Sequence, residues 1–323
     1  RGMSSWVIQA ERGSTRPRLR FRAESAPSVS GESWSAWMTV QASGLRLEGI
    51  DLVMPASEVD ASAVPPAMKR RALFAIAPGT LDLTLVDCTV TIEGDSVPSA
   101  LLPGEMGGEG RLRIEDCLIR VGGDLVDVAG GRRLELEVDN AVIATGGPMV
   151  HGHGLPEGRP AEGLKLVLRQ VSARMLGGLA QLQTVPGEPE LPVASINARD
   201  VVLATGDPDA PLLRIDGQGD LDDLRNLIRW EGRSVAYHQI NIYRRDQSAQ
   251  PGAVPTLYDR NFWNLRIGEK EESPIHGDLK FPIEWPQSRR PWALRRDDLR
   301  LPPDSPAVGA DLRDIPSPPA NRS

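Results

Sequence analysis

One phrase of apolar and polar positions recurs through the middle of the chain. Leu112, Ile114, Asp116, Cys117 and Ile119 are spaced so that apolar residues alternate, skip one place, and alternate again. The same register falls on Leu83, Leu85, Asp87, Cys88 and Val90, and upstream on Leu45, Leu47, Gly49, Ile50 and Leu52. Downstream it falls on Leu136, Val138, Asn140, Ala141 and Ile143, on Leu166, Leu168, Gln170, Val171 and Ala173, and on Ile196, Ala198, Asp200, Val201 and Leu203. Alternation predicts a strand with one buried face, and the skipped place predicts a bend between two strands. Constant strands joined by stretches of variable length, such as 103–110 and 146–159, describe a solenoid whose coils bury the same positions against one another. A leucine-rich repeat would need a Leu-x-x-Leu-x-Leu-x-x-Asn phrase and a helical spacing, and these copies have neither.

Composition points the same way. The 323 residues include 32 Gly and 28 Pro but only 7 Trp, 3 Tyr and 4 Phe, which favours short strands and many turns. A formal net charge of −7 with scattered arginines argues against a nucleic-acid partner, which needs clustered Lys and Arg on one face. No run of eighteen apolar residues predicts a membrane span, and the first thirty residues lack an apolar signal core. The chain starts at Arg1 and is read as a piece of a longer protein, so the parent could be membrane-anchored.

The quoted phrases resemble the right-handed parallel β-helix, or pectin-lyase-like, superfamily. The opening Trp6 to Arg22, WVIQAERGSTRPRLRFR, looks like the first coil of such proteins, and Leu299 to Leu312, LRLPPDSPAVGADL, like their closing phrase. Asn226 to Tyr243, NLIRWEGRSVAYHQINIY, is similar to β-helix regions on the C-terminal side of planctomycete-type proteins often labelled kinase-like. No Val-Ala-Ile-Lys, His-Arg-Asp or Asp-Phe-Gly motif accompanies it, so phosphoryl-transfer machinery is not expected in this chain. The resemblance implies an all-β fold: one right-handed parallel β-helix domain over 1–315, with a short helix and an aromatic-rich C-terminal cap. Residues 1–44 would be the N-terminal cap and first coil, 45–218 the central coils, 219–315 the C-terminal coils and cap, and 316–323 a disordered proline-rich tail.

Candidate chemistry is sparse. Asp87, Asp116, Asn140, Gln170 and Asp200 share the bend position; a polar ladder satisfying the backbone is the plainer reading, an acid row the sharper one. Asp116 with Arg113 and Asp200 with Arg199 are the acid and base pairs on offer for a polysaccharide lyase, which would use Ca²⁺, or for a glycoside hydrolase. Cys88 and Cys117 stack inward as free thiols whose parallel Cβ directions suit a disulfide poorly. His151 and His153, two apart in His-Gly-His-Gly, could present two metal ligands if extended, though flanking glycines favour a loop. Gly104–Gly110 reads as a connecting loop rather than a phosphate cradle. Asp220 followed by Leu221, Leu224, Leu227 and Ile228 predicts a short helix packed on the solenoid.

Aromatic residues concentrate beyond Trp230. Trp230, Tyr237, Tyr243 and Trp263 are therefore the expected ligand-contacting rings if the chain binds a carbohydrate, with a plug over the solenoid end as the structural alternative. The functional expectation is a non-catalytic, extracytoplasmic interaction or scaffold module of a larger bacterial protein, with an unidentified protein or polysaccharide partner and no cofactor. A carbohydrate-active enzyme or a carbohydrate-binding module is the alternative.

Overall fold

The computed structural model describes residues 5–11, 16–21, 34–40, 44–55, 70–76, 82–94, 100–102, 108–128, 132–154, 163–184, 190–217, 226–248, 253–266, 271–277, 279, 281, 290–295, 297–299, 301 and 305. The proline-rich tail, the Asp220 cap with Leu221 and Leu224, and Gly104–Gly107 lie outside them.

The described residues wind through eight coils. Coil 1 holds β1 (Ser5–Gln9), β2 (Arg18–Arg20) and β3 (Trp34–Val40), and coil 2 holds β4 (Gly44–Glu48), β5 (Asp51–Met54) and β6 (Arg70–Ile76). Coil 3 holds β7 (Asp82–Val86), β8 (Thr89–Ile92) and β9 (Ala100–Leu102), and coil 4 holds β10 (Gly108–Glu115), β11 (Leu118–Val121) and β12 (Val126–Val128). From coil 5 the first two strands merge into one long bent strand: β13 (Arg132–Thr145) with β14 (Val150–His153), then β15 (Leu164–Met175) with β16 (Ala180–Gln183). Coils 7 and 8 are β17 (Ala194–Thr205) with β18 (Leu213–Gly217), and β19 (Ile228–His238) with β20 (Arg244–Ser248). The bent strands and their unmerged equivalents stack into one parallel sheet, and the third strand of every coil into a second, so the chain is a parallel β-helix.

The ladder reproduces the register read from the phrase. Leu45 pairs with Leu83, Leu83 with Leu112, Leu112 with Leu136, Leu136 with Leu166 and Leu166 with Ile196. Beyond the bend, Leu52, Val90, Ile119, Ile143, Ala173 and Leu203 form a second continuous row. These rows make a single apolar core running the length of the solenoid. The eighth copy carries Trp230, Gly232 and Tyr237 at the template positions, which hides it from an aliphatic search.

Two expectations change. Leu227 is in a turn and Ile228 opens β19 with its side chain buried, so no helix covers these two residues; Ile228 and Trp230 alternate into the core, and burial on one strand face overrides the helical spacing. Gly108–Gly110 belong to β10 and His151 and His153 to β14, because ladder pairing on both sides holds these glycine-flanked stretches extended. Trp6, Ile8 and Leu19 occupy inward register positions opposite Leu45, Leu47 and Leu52, yet are 65%, 43% and 40% exposed.

The other end is closed. β21 (Thr256–Tyr258) runs antiparallel to β20, helix α1 (Arg260–Arg266) follows, and the two-residue strands β22 (Glu271–Glu272) and β23 (Ile275–His276) complete the edge of β19. The chain then returns along the outside of the second limb, the half of each bent strand that follows the bend. Leu279 and Phe281 pack on Val202, Ala204 and Ala236 of coils 7 and 8; Leu294 packs on Val142 and Ala144 of coil 5. Arg120 donates to the Leu294 carbonyl at 2.8 Å, Arg174 to the Asp298 carbonyl at 3.2 Å, and Leu301 rejoins the Val202 cluster. This strap explains why the second limb reads as nearly unbroken apolar sequence, as in Ala141–Ala144 and Val201–Ala204: both of its faces are covered. The turn after the second limb must leave room for it. A Cβ at Gly122 would stand 2.0 Å from the Gly94 carbonyl oxygen and 2.4 Å from the Trp292 ring.

Candidate functional site

The bend row is a line of left-handed residues. Asp87, Asp116, Asn140, Gln170, Asp200 and Ser234 have φ between 48° and 56°, with Gly49 at 70° on coil 2. Asp and Asn tolerate this conformation better than other non-glycine residues, which accounts for their recurrence. Their side chains are engaged locally: Asn140 Nδ2 donates to Asp116 Oδ1 at 2.6 Å, Arg16 binds Asp87 at 2.5 Å, and Arg199 lies 3.4 Å from Asp200. Asp116 and Asp200 are three ladder steps apart, roughly 14 Å, beyond the separation of about 5 to 10 Å used by paired glycosidase carboxylates.

Cys88 and Cys117 are free and buried in adjacent coils. Burial pushes the Cys117 thiol well above its ordinary range. His151 and His153 do share one outward face, with ring centroids 4.3 Å apart. Each ring faces an acid from the preceding coil, His151 Nδ1 at 3.2 Å from Asp124 and His153 Nε2 at 2.9 Å from Asp127. Burial pulls His151 down, but the bond to Asp124 and its charge outweigh this and leave it raised. No three potential metal ligands converge among the described residues.

The four expected ligand rings are brought together at the closed end, and all are buried. Trp230, Tyr237, Tyr243 and Trp263 are at most 2% exposed. Trp263 lies edge-on to Trp230 at 5.4 Å, and Tyr243 edge-on to Tyr237 at 5.2 Å, a packed cluster closing the lumen. Glu271 is held beneath it, bonded by the Tyr237 hydroxyl and by Trp263 Nε1 at 3.3 Å; burial raises its carboxyl above the ordinary range. Tyr237 and Tyr243 border a cleft of 540 Å³ between the coil 8 turn and α1, lined among others by Gln239, Asn241, Arg260 and His276.

Charges on the outer face of the first limb line up in rows. Asp82, Arg111, Glu135 and Lys165 sit on consecutive coils at one register position. They form an ion-paired string: Arg111 Nη1 to Asp82 at 3.6 Å, Arg111 Nε to Glu135 at 2.8 Å, and Lys165 to Glu135 at 2.6 Å. Beside the bend, another row changes sign along the axis. Glu115 and Asp139 lie on coils 4 and 5, then Arg169, Arg199 and Arg233 on coils 6 to 8. The row was hidden in the sequence because its members lie twenty-four to thirty-four positions apart.

Comparison with protein families, with curated proteins and with solved structures found no match.

Proposed function

We propose that the chain is a non-catalytic interaction module of a larger bacterial protein, working outside the cytoplasm, and a member of the right-handed pectin-lyase-like β-helices. The observation that carries the reading is that charge on the first limb is laid out in rows along the axis and not gathered around one point. Acids and bases of coils 3 to 6 neutralise one another along the Asp82–Lys165 string, whereas catalysis would want them converging on one point. Arg169, Arg199 and Arg233, one ladder step of about 4.8 Å apart, form an exposed line of guanidinium groups, in which Arg199 also meets Asp200 at 3.4 Å and Arg233 meets Glu272 at 3.5 Å. Such a line suits an acidic partner lying along the solenoid axis, and the partner's carboxylates gain specificity from planar guanidinium groups.

Two experiments test this reading. The purified chain is expected to release neither reducing sugar nor unsaturated product from acidic and neutral polysaccharides, with or without Ca²⁺; turnover would overturn the non-catalytic assignment in favour of a lyase or hydrolase. Polygalacturonate and poly-glutamate at low salt are expected to be retained by the chain despite its net charge of −7. Retention that survives combined Arg169→Gln, Arg199→Gln and Arg233→Gln replacement would remove the arginine row from the account.

A further inference from the structure

We infer that the cleft between the coil 8 turn and α1 is a binding site for a small organic carboxylate that also carries hydroxyl groups. At 540 Å³ the cleft is within the range of small-molecule pockets. Its polar groups are mostly donors or amides. Arg260 is exposed and makes no ion pair among the described residues, and none of the described residues lining the cleft is an acid.

His276 supplies the second observation. Its ring stacks on Tyr237 at 5.0 Å and 14°, and its Nδ1 lies 2.7 Å from the Tyr243 hydroxyl. Burial pushes the Tyr243 phenol up, so it keeps its proton, and burial with the neighbouring Arg260 cation holds His276 down to about 4. The imidazole is therefore neutral near pH 7. With the phenol donating to Nδ1, the ring hydrogen resides on Nε2, a buried atom with no hydrogen-bond partner among the described residues. The ring so ordered stands as a fixed neutral wall of the cleft beside Tyr237 and Tyr243. Arg260 adds the charge that selects a carboxylate, and the exposed amides of Gln239 and Asn241 offer both donor and acceptor for hydroxyls. The site lies at the closed end and uses no residue of the arginine row.

The test uses the whole chain and follows amide shifts by NMR while glucuronate, glucose or inorganic phosphate is added up to about 10 mM, well above a millimolar Kd. Glucuronate is expected to shift Gln239, Asn241 and Gly277 saturably, and glucose, which lacks only the carboxylate, to leave them in place. Phosphate shifting them as strongly as glucuronate would reduce the site to a general anion hole and overturn the carboxylate assignment. Arg260→Ala, an exposed change outside the core, is expected to weaken glucuronate at least tenfold, and Tyr243→Phe to weaken it with the thermal melt still cooperative. No saturable shift with glucuronate, or the same affinity in Arg260→Ala, would overturn the inference.

Discussion

Arg244 and Asp246, two places apart on β20, both turn into the lumen and meet at 2.6 Å with the Asp246 side chain fully buried. In the preceding coil the same positions are Leu213 and Ile215. The ion pair therefore replaces apolar core at the last coil, directly beneath the Tyr258 ring, which lies 5.6 Å from the Arg244 guanidinium. Removing one partner strands a buried charge. Asp246→Ala is expected to cost about 3–5 kcal/mol in urea denaturation, while the double change to Leu and Ile, continuing the row of coil 7, should be neutral or stabilising. Equal losses in the single and double variants would show that the pair itself stabilises the end.

The left-handed bend row predicts an unusual rank order of substitutions. Gln170 has φ 52°, a conformation that disfavours β-branched residues most. Gln170→Val is expected to lower stability by roughly 1–2 kcal/mol, and Gln170→Gly to lose nothing, because relief of the left-handed strain offsets the extra freedom of the unfolded chain. Thermal melts of the two variants decide it; a larger loss for Gly than for Val would contradict the strain argument.

His276 makes the closed end sensitive to acid. Its folded value is held at about 4, below the ordinary 6.5, by burial and by Arg260. The unfolded chain thus takes up a proton near 6.5 that the folded chain refuses until about 4, so this contribution to stability is complete above pH 6.5 and is lost as pH falls through that window. The melting temperature should fall between pH 6.5 and 4 more steeply in the parent than in His276→Gln. Glu271 works in the opposite sense. Burial raises its folded value, so its contribution is complete at low pH and is lost as pH rises through the raised value, and Glu271→Gln should flatten that slope.

Leu294 tests the strap. It is fully buried against Val142 and Ala144, whose outward-facing positions would otherwise meet water. Leu294→Asp is expected to lift this part of the strap and make 290–299 a site of early cleavage in limited proteolysis, with the coils still folded. Unchanged cleavage would place the holding force elsewhere, in the Arg120 and Arg174 bonds to the strap carbonyls.

Much of the solenoid was legible because a parallel ladder repeats its demands. Each coil needs apolar residues at the same inward places and a tolerant residue at the bend, so Leu83, Leu112 and Leu136 announce one another. Coil 8 escaped the aliphatic template because Trp230 and Tyr237 fill the wider closing layer. The strap was less visible, since it has no repeat of its own; its only trace is the loss of alternation in Ala141–Ala144 and Val201–Ala204. The cleft was half legible. The density of aromatic residues pointed to the right end, but rings alone did not reveal that they face inward, nor that Arg260 and His276, sixteen places apart in sequence, share one opening.

A solenoid is ordinarily a chain of neighbours, each coil sensing only the next, and it can unravel one coil at a time. The strap couples coils that are not neighbours: Phe281 is anchored on coils 7 and 8, whereas Leu294 packs on coil 5 and its carbonyl is gripped by Arg120 of coil 4. Loosening any one of these coils releases grip on the others, so the C-terminal half should melt as a single cooperative block, while the coils before it unravel one at a time.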